Sequence, residues 1–389
     1  MQTQRPATAR CARRAFSIIE LLTVIGIIAL LIAILVPTLA GVRTAGRKAA
    51  TQSLLTELVS AASKFELDNR RKPGYFAMSE LGSETNFANG SGPGLTYMEN
   101  ALLELSGAGA VRTEGPSDNP DLWNGGNASD WVVVNPTGDP SRDIWVKADL
   151  IGSDEGNYFL PDAGSLVHMR ADIEQQLGTI TSNQPNNASL PDGLPDLVDS
   201  FETPVLAWIE DPSVPDTITD DHDFASPSSD VHTSKFYWTA NGSMLSSHSL
   251  GEHGLSMELQ PANGGSLIGV AAYDLGEHPI EGVMAAMLGH PGYPDEATLH
   301  GGGYDDVFPK RARGGFIAHS AGADAMYLAA DDKRAGRVLS SGMVGPGSMD
   351  VRYGIDFFAG PGGDRRKGEN GQPVTADFLD GFDDLVVSE

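Results

Sequence analysis

The sequence predicts an α+β fold: one long N-terminal helix packed on a small antiparallel β-sheet, with a large loop-rich insertion. Three observations lead there. Residues 16–36 are apolar apart from a few small polar side chains, and Glu20 is their one ionisable group. Apolar side chains then recur at helical spacing as far as Phe65. Beyond them, short β-branched and aromatic runs are separated by Gly, Pro, Asn and Asp, the pattern of strands joined by turns.

At about 1.5 Å per helical residue, residues 16–36 span roughly 30 Å, the hydrocarbon thickness of a bilayer. Arg5, Arg10, Arg13 and Arg14 precede the run with no acid among them. That asymmetry keeps the leader on the cytoplasmic side and sends the C-terminal bulk outward. Hydrophobicity alone fits a plain anchor or a signal peptide. Glu20 adds something else. A carboxylate costs a few kcal/mol inside a bilayer, so it marks a pairing site.

The stretch Arg13-Arg14-Ala15-Phe16-Ser17-Ile18-Ile19-Glu20, with Pro37 behind it, resembles the N-terminal signal of type IV prepilins and of type II secretion pseudopilins. The match covers roughly 50 residues and rests on cut site, Glu spacing, apolar run and proline together. The resemblance implies that prepilin peptidase cuts between Ala15 and Phe16 and that Phe16 becomes a methylated N-terminus. Glu20 then stands at the fifth position, where it meets the α-amine of a neighbouring subunit during assembly. Pro37 falls at the family's helix-distorting proline. The departure is Ala15, small like the Gly usual there. The implied fold is pilin-like. The implied partners are the peptidase, further copies of the chain and other pilin-like subunits, an inner-membrane assembly platform and the lipid bilayer. The implied place is the inner membrane, crossed once, with assembly into a pilus or pseudopilus filament.

Four domains follow on this reading: a basic leader at 1–15, a transmembrane helix at 16–37, its amphipathic continuation at 38–72 and an exported globular part at 73–389. In the continuation, Leu39, Val42, Leu54, Leu55, Leu58, Val59, Ala62 and Phe65 form the apolar stripe. Arg70-Arg71-Lys72-Pro73-Gly74 reads as the stop. A kink or local melting is expected near Pro37. Residues 75–130 are rich in Gly, Ser and Asn, with one short helical candidate at Tyr97–Leu105. Strand-like runs follow at 131–134, 144–146, 158–160 and 203–209. An Asp-bearing turn at 197–204 resembles the one that leads into the first sheet strand of the family. Residues 211–310 read as an insertion, with strand candidates at 235–239 and 267–273 and a short helix at 280–288.

Charge narrows the function classes. The net charge is −26, and losing the four leader arginines takes it to −30. Such a surface repels nucleic acid, so no nucleic-acid partner is expected. It suits Ca²⁺, a hard cation that takes oxygen ligands, and equally a surface that is merely well solvated. The one cysteine, Cys11, lies in the leader, so a processed chain has no disulfide. No G-x-x-x-x-G-K-[ST] phosphate loop is present.

Two C-terminal phrases carry chemistry. Ala318-His319-Ser320-Ala321-Gly322 is a loose form of the nucleophile elbow G-x-S-x-G. It opens the alternative of a membrane-tethered exported hydrolase or binding protein with Ser320 as nucleophile. The competing reading is structural, with no enzymatic activity. Ser320-Ala321-Gly322-Ala323-Asp324, residues 357–364 and residues 381–388 resemble the turn and acidic close of the pseudopilin sheet. That resemblance implies a Ca²⁺ loop, with Asp364, Asp380, Asp383 and Asp384 as ligands. Nine histidines are scattered without H-E-x-x-H or a cysteine partner, which argues against zinc.

Overall fold

The computed structural model describes residues 17–81, 95–107, 109–115, 131–135, 139–153, 157–162, 164–167, 194–211, 224–225, 236–237, 241, 287–291, 311–329, 377, 379–380 and 382–389. The strand candidate at 267–273 and the phrase at 357–364 lie outside these residues, as does all but the end of the helix candidate at 280–288. The chain divides into two units, Met1–Arg47 and Lys48–Glu389.

The first unit carries the start of helix α1 (Ile18–Asn69), which is continuous as backbone through Pro37. The expected local melting is not seen. Proline costs the helix one N–H donor, but helix on both sides holds the backbone in register. Within α1, Ile18–Leu35 is long and apolar enough to cross a membrane, and none of it is buried within the chain. Leu39 and Val42, placed on the inward stripe by their spacing, are also exposed.

In the second unit α1 turns amphipathic in fact. Leu55, Leu58, Val59, Ala62 and Phe65 are buried, while Glu57, Lys64 and Asp68 face solvent. The helix ends at Asn69, where Arg70 takes a left-handed conformation (φ 58°) and its N–H bonds the Glu66 carbonyl at 2.7 Å. Helix α2 (Tyr97–Leu105) starts at Thr96 with a reciprocal capping box: Thr96 Oγ1 accepts from the Glu99 N–H, and Glu99 accepts from the Thr96 N–H.

The strands are β1 (Val111–Arg112), β2 (Val132–Val134), β3 (Ile144–Val146), β4 (Leu166–Val167), β5 (Asp196–Leu197), β6 (Leu206–Ile209), β7 (Phe224–Ala225), β8 (Phe236–Tyr237), β9 (Phe316–Ser320) and β10 (Leu385–Ser388). They form antiparallel sheets: β1-β3-β2, β10-β9-β6, and the pairs β4-β5 and β7-β8. Residues 158–160 are not a strand. Phe159 is buried there, its N–H on the Leu105 carbonyl and its carbonyl taken by Ser106 Oγ, so the end of α2 satisfies its backbone.

The sheet β10-β9-β6 organises the second unit. Leu206 pairs with His319, Ala207 with Ala318 and Ile209 with Phe316. Ala318 and His319 in turn pair with Val387 and Val386. Strand alternation sends Ala207, Ile209, Phe316 and Ala318 to one face. They join one core cluster with Leu55, Leu58 and Phe65 of α1 and Ala101, Leu102 and Leu105 of α2. The other face carries Trp208, Ile317 and His319, which are also buried. A sheet covered on both sides explains why every residue of β6 and β9 is buried.

Candidate functional site

Two places bear the residues singled out by sequence. The first is the start of α1. Ala15 and Phe16 lie outside the described residues. Ser17 caps the helix: its Oγ accepts from the Ile19 N–H at 3.3 Å, and the Ser17 N–H donates to Glu20 Oε2 at 2.9 Å. Glu20 thus stands at the third helical position, where a carboxylate both returns the capping bond and meets the positive end of the helix dipole. Among the described residues its partner is the Ser17 N–H. Pro37 sits inside α1, past the apolar stretch.

The second place is the C-terminal end of β9. Consecutive strand residues face opposite ways, so His319 and Ser320 enter different surroundings. Ser320 is buried, and its Oγ donates to Asp199 Oδ2. Asp199 Oδ1 meanwhile accepts from the N–H groups of Phe201 and Thr203, at 2.8 and 3.0 Å. The turn at 199–203 is thereby closed on its own carboxylate and tied to β9. Glu202 takes a left-handed φ of 69° within it. Ser200 donates its N–H to Thr51 Oγ1 at 3.2 Å, which ties the same turn to α1.

On the opposite face His319 Nε2 lies 2.6 Å from Asp384 Oδ1, both side chains being fully buried. The Trp208 indole N–H approaches His319 Nδ1 at 3.4 Å. An indole N–H only donates, so Nδ1 accepts and the protonated Nε2 donates to Asp384 Oδ1. Tyr327 packs edge-on against the imidazole at a centroid distance of 5.3 Å, and its hydroxyl donates to the Pro204 carbonyl. Burial pushes the Asp384 carboxyl up from its ordinary range, against the His319 and Leu328 bonds that act to lower it. Burial likewise pushes the Tyr327 phenol up, with the charges of Asp199, Asp384 and Asp196 adding to it.

The loop 321–329 follows β9 directly. Asp383 Oδ2 accepts from the N–H groups of Ala323 and Asp324 at 2.7 and 3.2 Å and lies 3.8 Å from Lys48 Nζ. Asp384 Oδ1 accepts from the Leu328 N–H at 2.9 Å. Two non-glycine residues of this loop, Ala325 and Leu328, have positive φ, and Leu328 is the one whose N–H Asp384 holds. Gly322 also has positive φ, and a Cβ there would come 2.3 Å from the Asp383 carbonyl oxygen.

Of the four acids that the resemblance makes Ca²⁺ ligands, Asp364 lies outside the described residues. Asp383 and Asp384 face protein donors, and Asp380 donates its backbone N–H to the Asp377 carbonyl. Among the described residues no three His, Cys, Asp or Glu side chains converge as a metal shell. Ser320 is brought to Asp199 and away from His319. Sequence reasoning placed the turn at 197–204 but missed Asp199 as its centre and His319 as the partner of Asp384. The signal was thin: an acid two residues before an aromatic, and a histidine inside an apolar strand.

Compared with known proteins, the chain matches no family model, no characterised protein and no solved structure.

Proposed function

We propose that this chain is a pilin-like structural subunit, cut and methylated at Phe16 and assembled through α1 into a type IV pilus or secretion pseudopilus. The observation that carries the reading is the stretch Ile18–Leu35, apolar on every side, unburied by the rest of its chain and holding one carboxylate near its start. An all-round apolar helix needs lipid or sister helices. Before assembly lipid surrounds it; after assembly other copies do. The globular part stands outside the cytoplasm, and its acidic surface sets what the filament contacts. Ser320 supports the structural reading over the hydrolase, because its hydroxyl is buried and already bound to Asp199.

Glu20→Ala is the test. The variant is expected to insert in the membrane as well as the parent but to lose most filament assembly in a reconstituted system. Normal assembly of that variant would refute the pairing role. Ca²⁺ binding by the C-terminal acids belongs to the same proposal. Calorimetry on the full chain in detergent tests it: heat and a raised melting temperature with millimolar Ca²⁺ support the site, and their absence removes it.

A further inference from the structure

We propose that Glu99 and Asp196 form a buried acid pair that holds a proton near neutral pH and ties the docking of α2 on β5 to the acidity of the medium. Both carboxyls are inside the protein, 1% and 3% exposed. Glu99 lies on α2 and Asp196 on β5, and the two elements pack together. Glu99 Oε2 accepts the Thr96 N–H at 2.7 Å. Among the described residues, Glu99 Oε1 and Asp196 Oδ2 have no hydrogen-bond donor.

A buried carboxylate oxygen without a donor is strongly disfavoured, and two close together more so. Protonation by solvent removes one negative charge and turns an acceptor into a donor. The described elements packed on the pair supply no cation. Strands β4 (Leu166–Val167) and β6 (Leu206–Ile209), the neighbours of β5 and α2, bring no ionisable side chain. Glu104, the other acid on α2, faces away to Arg71 and the Gly74 N–H. The phenol of Tyr327 lies within electrostatic reach of Asp196 and adds no positive charge. On α1, Glu57, Lys64 and Asp68 are exposed, and Glu66 pairs with Lys72. Among the described residues no Lys, Arg or His forms an ion pair with either member.

Burial pushes both groups up: Glu99 well above the ordinary range, with the charge of Asp196 adding to the effect, and Asp196 to about 8. The folded chain therefore holds protons that the unfolded chain releases near pH 4. Stability from this pair is complete in acid and is lost as pH rises toward and through the folded values. Above them, two like charges face each other between α2 and β5, and the helix loosens from the strand.

The experiment is thermal melting of the full chain in detergent between about pH 5 and about pH 9. The melting temperature of the parent is expected to fall by on the order of 5 °C across that range. Glu99→Gln keeps the capping box, since an amide oxygen still accepts from Thr96, and is expected to flatten the slope. Asp196→Asn is expected to do the same. Asp384 is shifted in the same direction, so the difference between parent and variant is the diagnostic quantity. A parent with no slope, or variants that keep the parental slope, would overturn the proposal. So would a pair that holds a metal: a melting point raised by millimolar Ca²⁺ or Mg²⁺ and lowered by chelator in the parent but not in Glu99→Gln. Infrared spectroscopy of the parent covers the case in which the variants do not fold. The C=O stretch of a protonated carboxyl is expected at neutral pH and should vanish in alkali; its absence at neutral pH contradicts a protonated pair.

Discussion

The two halves of α1 make opposite demands on their surroundings. From Ile18 to Leu35 the apolar side chains point in all directions and stay exposed. From Thr51 to Phe65 they fall on one stripe that the rest of the second unit buries. The same helical backbone thus carries two different side-chain patterns. One half is completed by its own chain, and the other is long and apolar enough to cross a membrane. Stability of the globular part should therefore depend on the second half and be indifferent to the first.

That contrast can be broken most directly by cutting one leucine in each half. Leu58→Ala removes a fully buried side chain and is expected to destabilise the globular part by about 2–5 kcal/mol. Leu22→Ala, in the exposed half, is expected to change its melting by less than about 0.5 kcal/mol. Denaturant melts of both variants, followed by tryptophan fluorescence, read the difference. Equal losses would mean that the two halves are not distinct.

Next in size is the turn that ties α1 to β9. Asp199→Ala strips the acceptor from Ser320, Phe201 and Thr203 together, and is expected to cost about 2–4 kcal/mol. Asp199→Asn, which keeps an acceptor oxygen, should recover part of that loss. Gly322→Ala meets both a left-handed backbone and the Asp383 carbonyl, and about 1–3 kcal/mol of destabilisation is expected in the same melts. Smaller than either is Lys48→Met. Its ion pair with Asp383 is 3.8 Å long and more than a third open to water on the lysine side, so a loss under about 1 kcal/mol is expected, fading in high salt.

The two halves also differ in how well the sequence announces them. The apolar run and the amphipathic stripe are local patterns, and local patterns survive without knowledge of the fold. The stop at 70–74 and helix α2 were legible for the same reason: Pro73-Gly74 cannot continue a helix, and Tyr97–Leu105 has helical spacing. Leu39 and Val42 show the limit. Their spacing is right, but exposure depends on what is packed against them, which periodicity does not record. The polar ties were less legible still. Asp199 to Ser320 joins residues 121 apart in sequence, and His319 to Asp384 joins residues 65 apart. Glu99 was hidden differently. Thr96-Tyr97-Met98-Glu99 carries the capping-box pattern, yet a capping glutamate is ordinarily at the surface, and nothing local says that this one is buried against Asp196.

Everything proposed for the first half of α1 depends on where the mature chain begins. Mass spectrometry of the N-terminal peptide, on protein made in cells that hold a prepilin peptidase, measures this directly. The account predicts a chain that starts at Phe16 with a methyl group on its α-amine. A chain that still starts at Met1, or one cut on the far side of the apolar run, would contradict it.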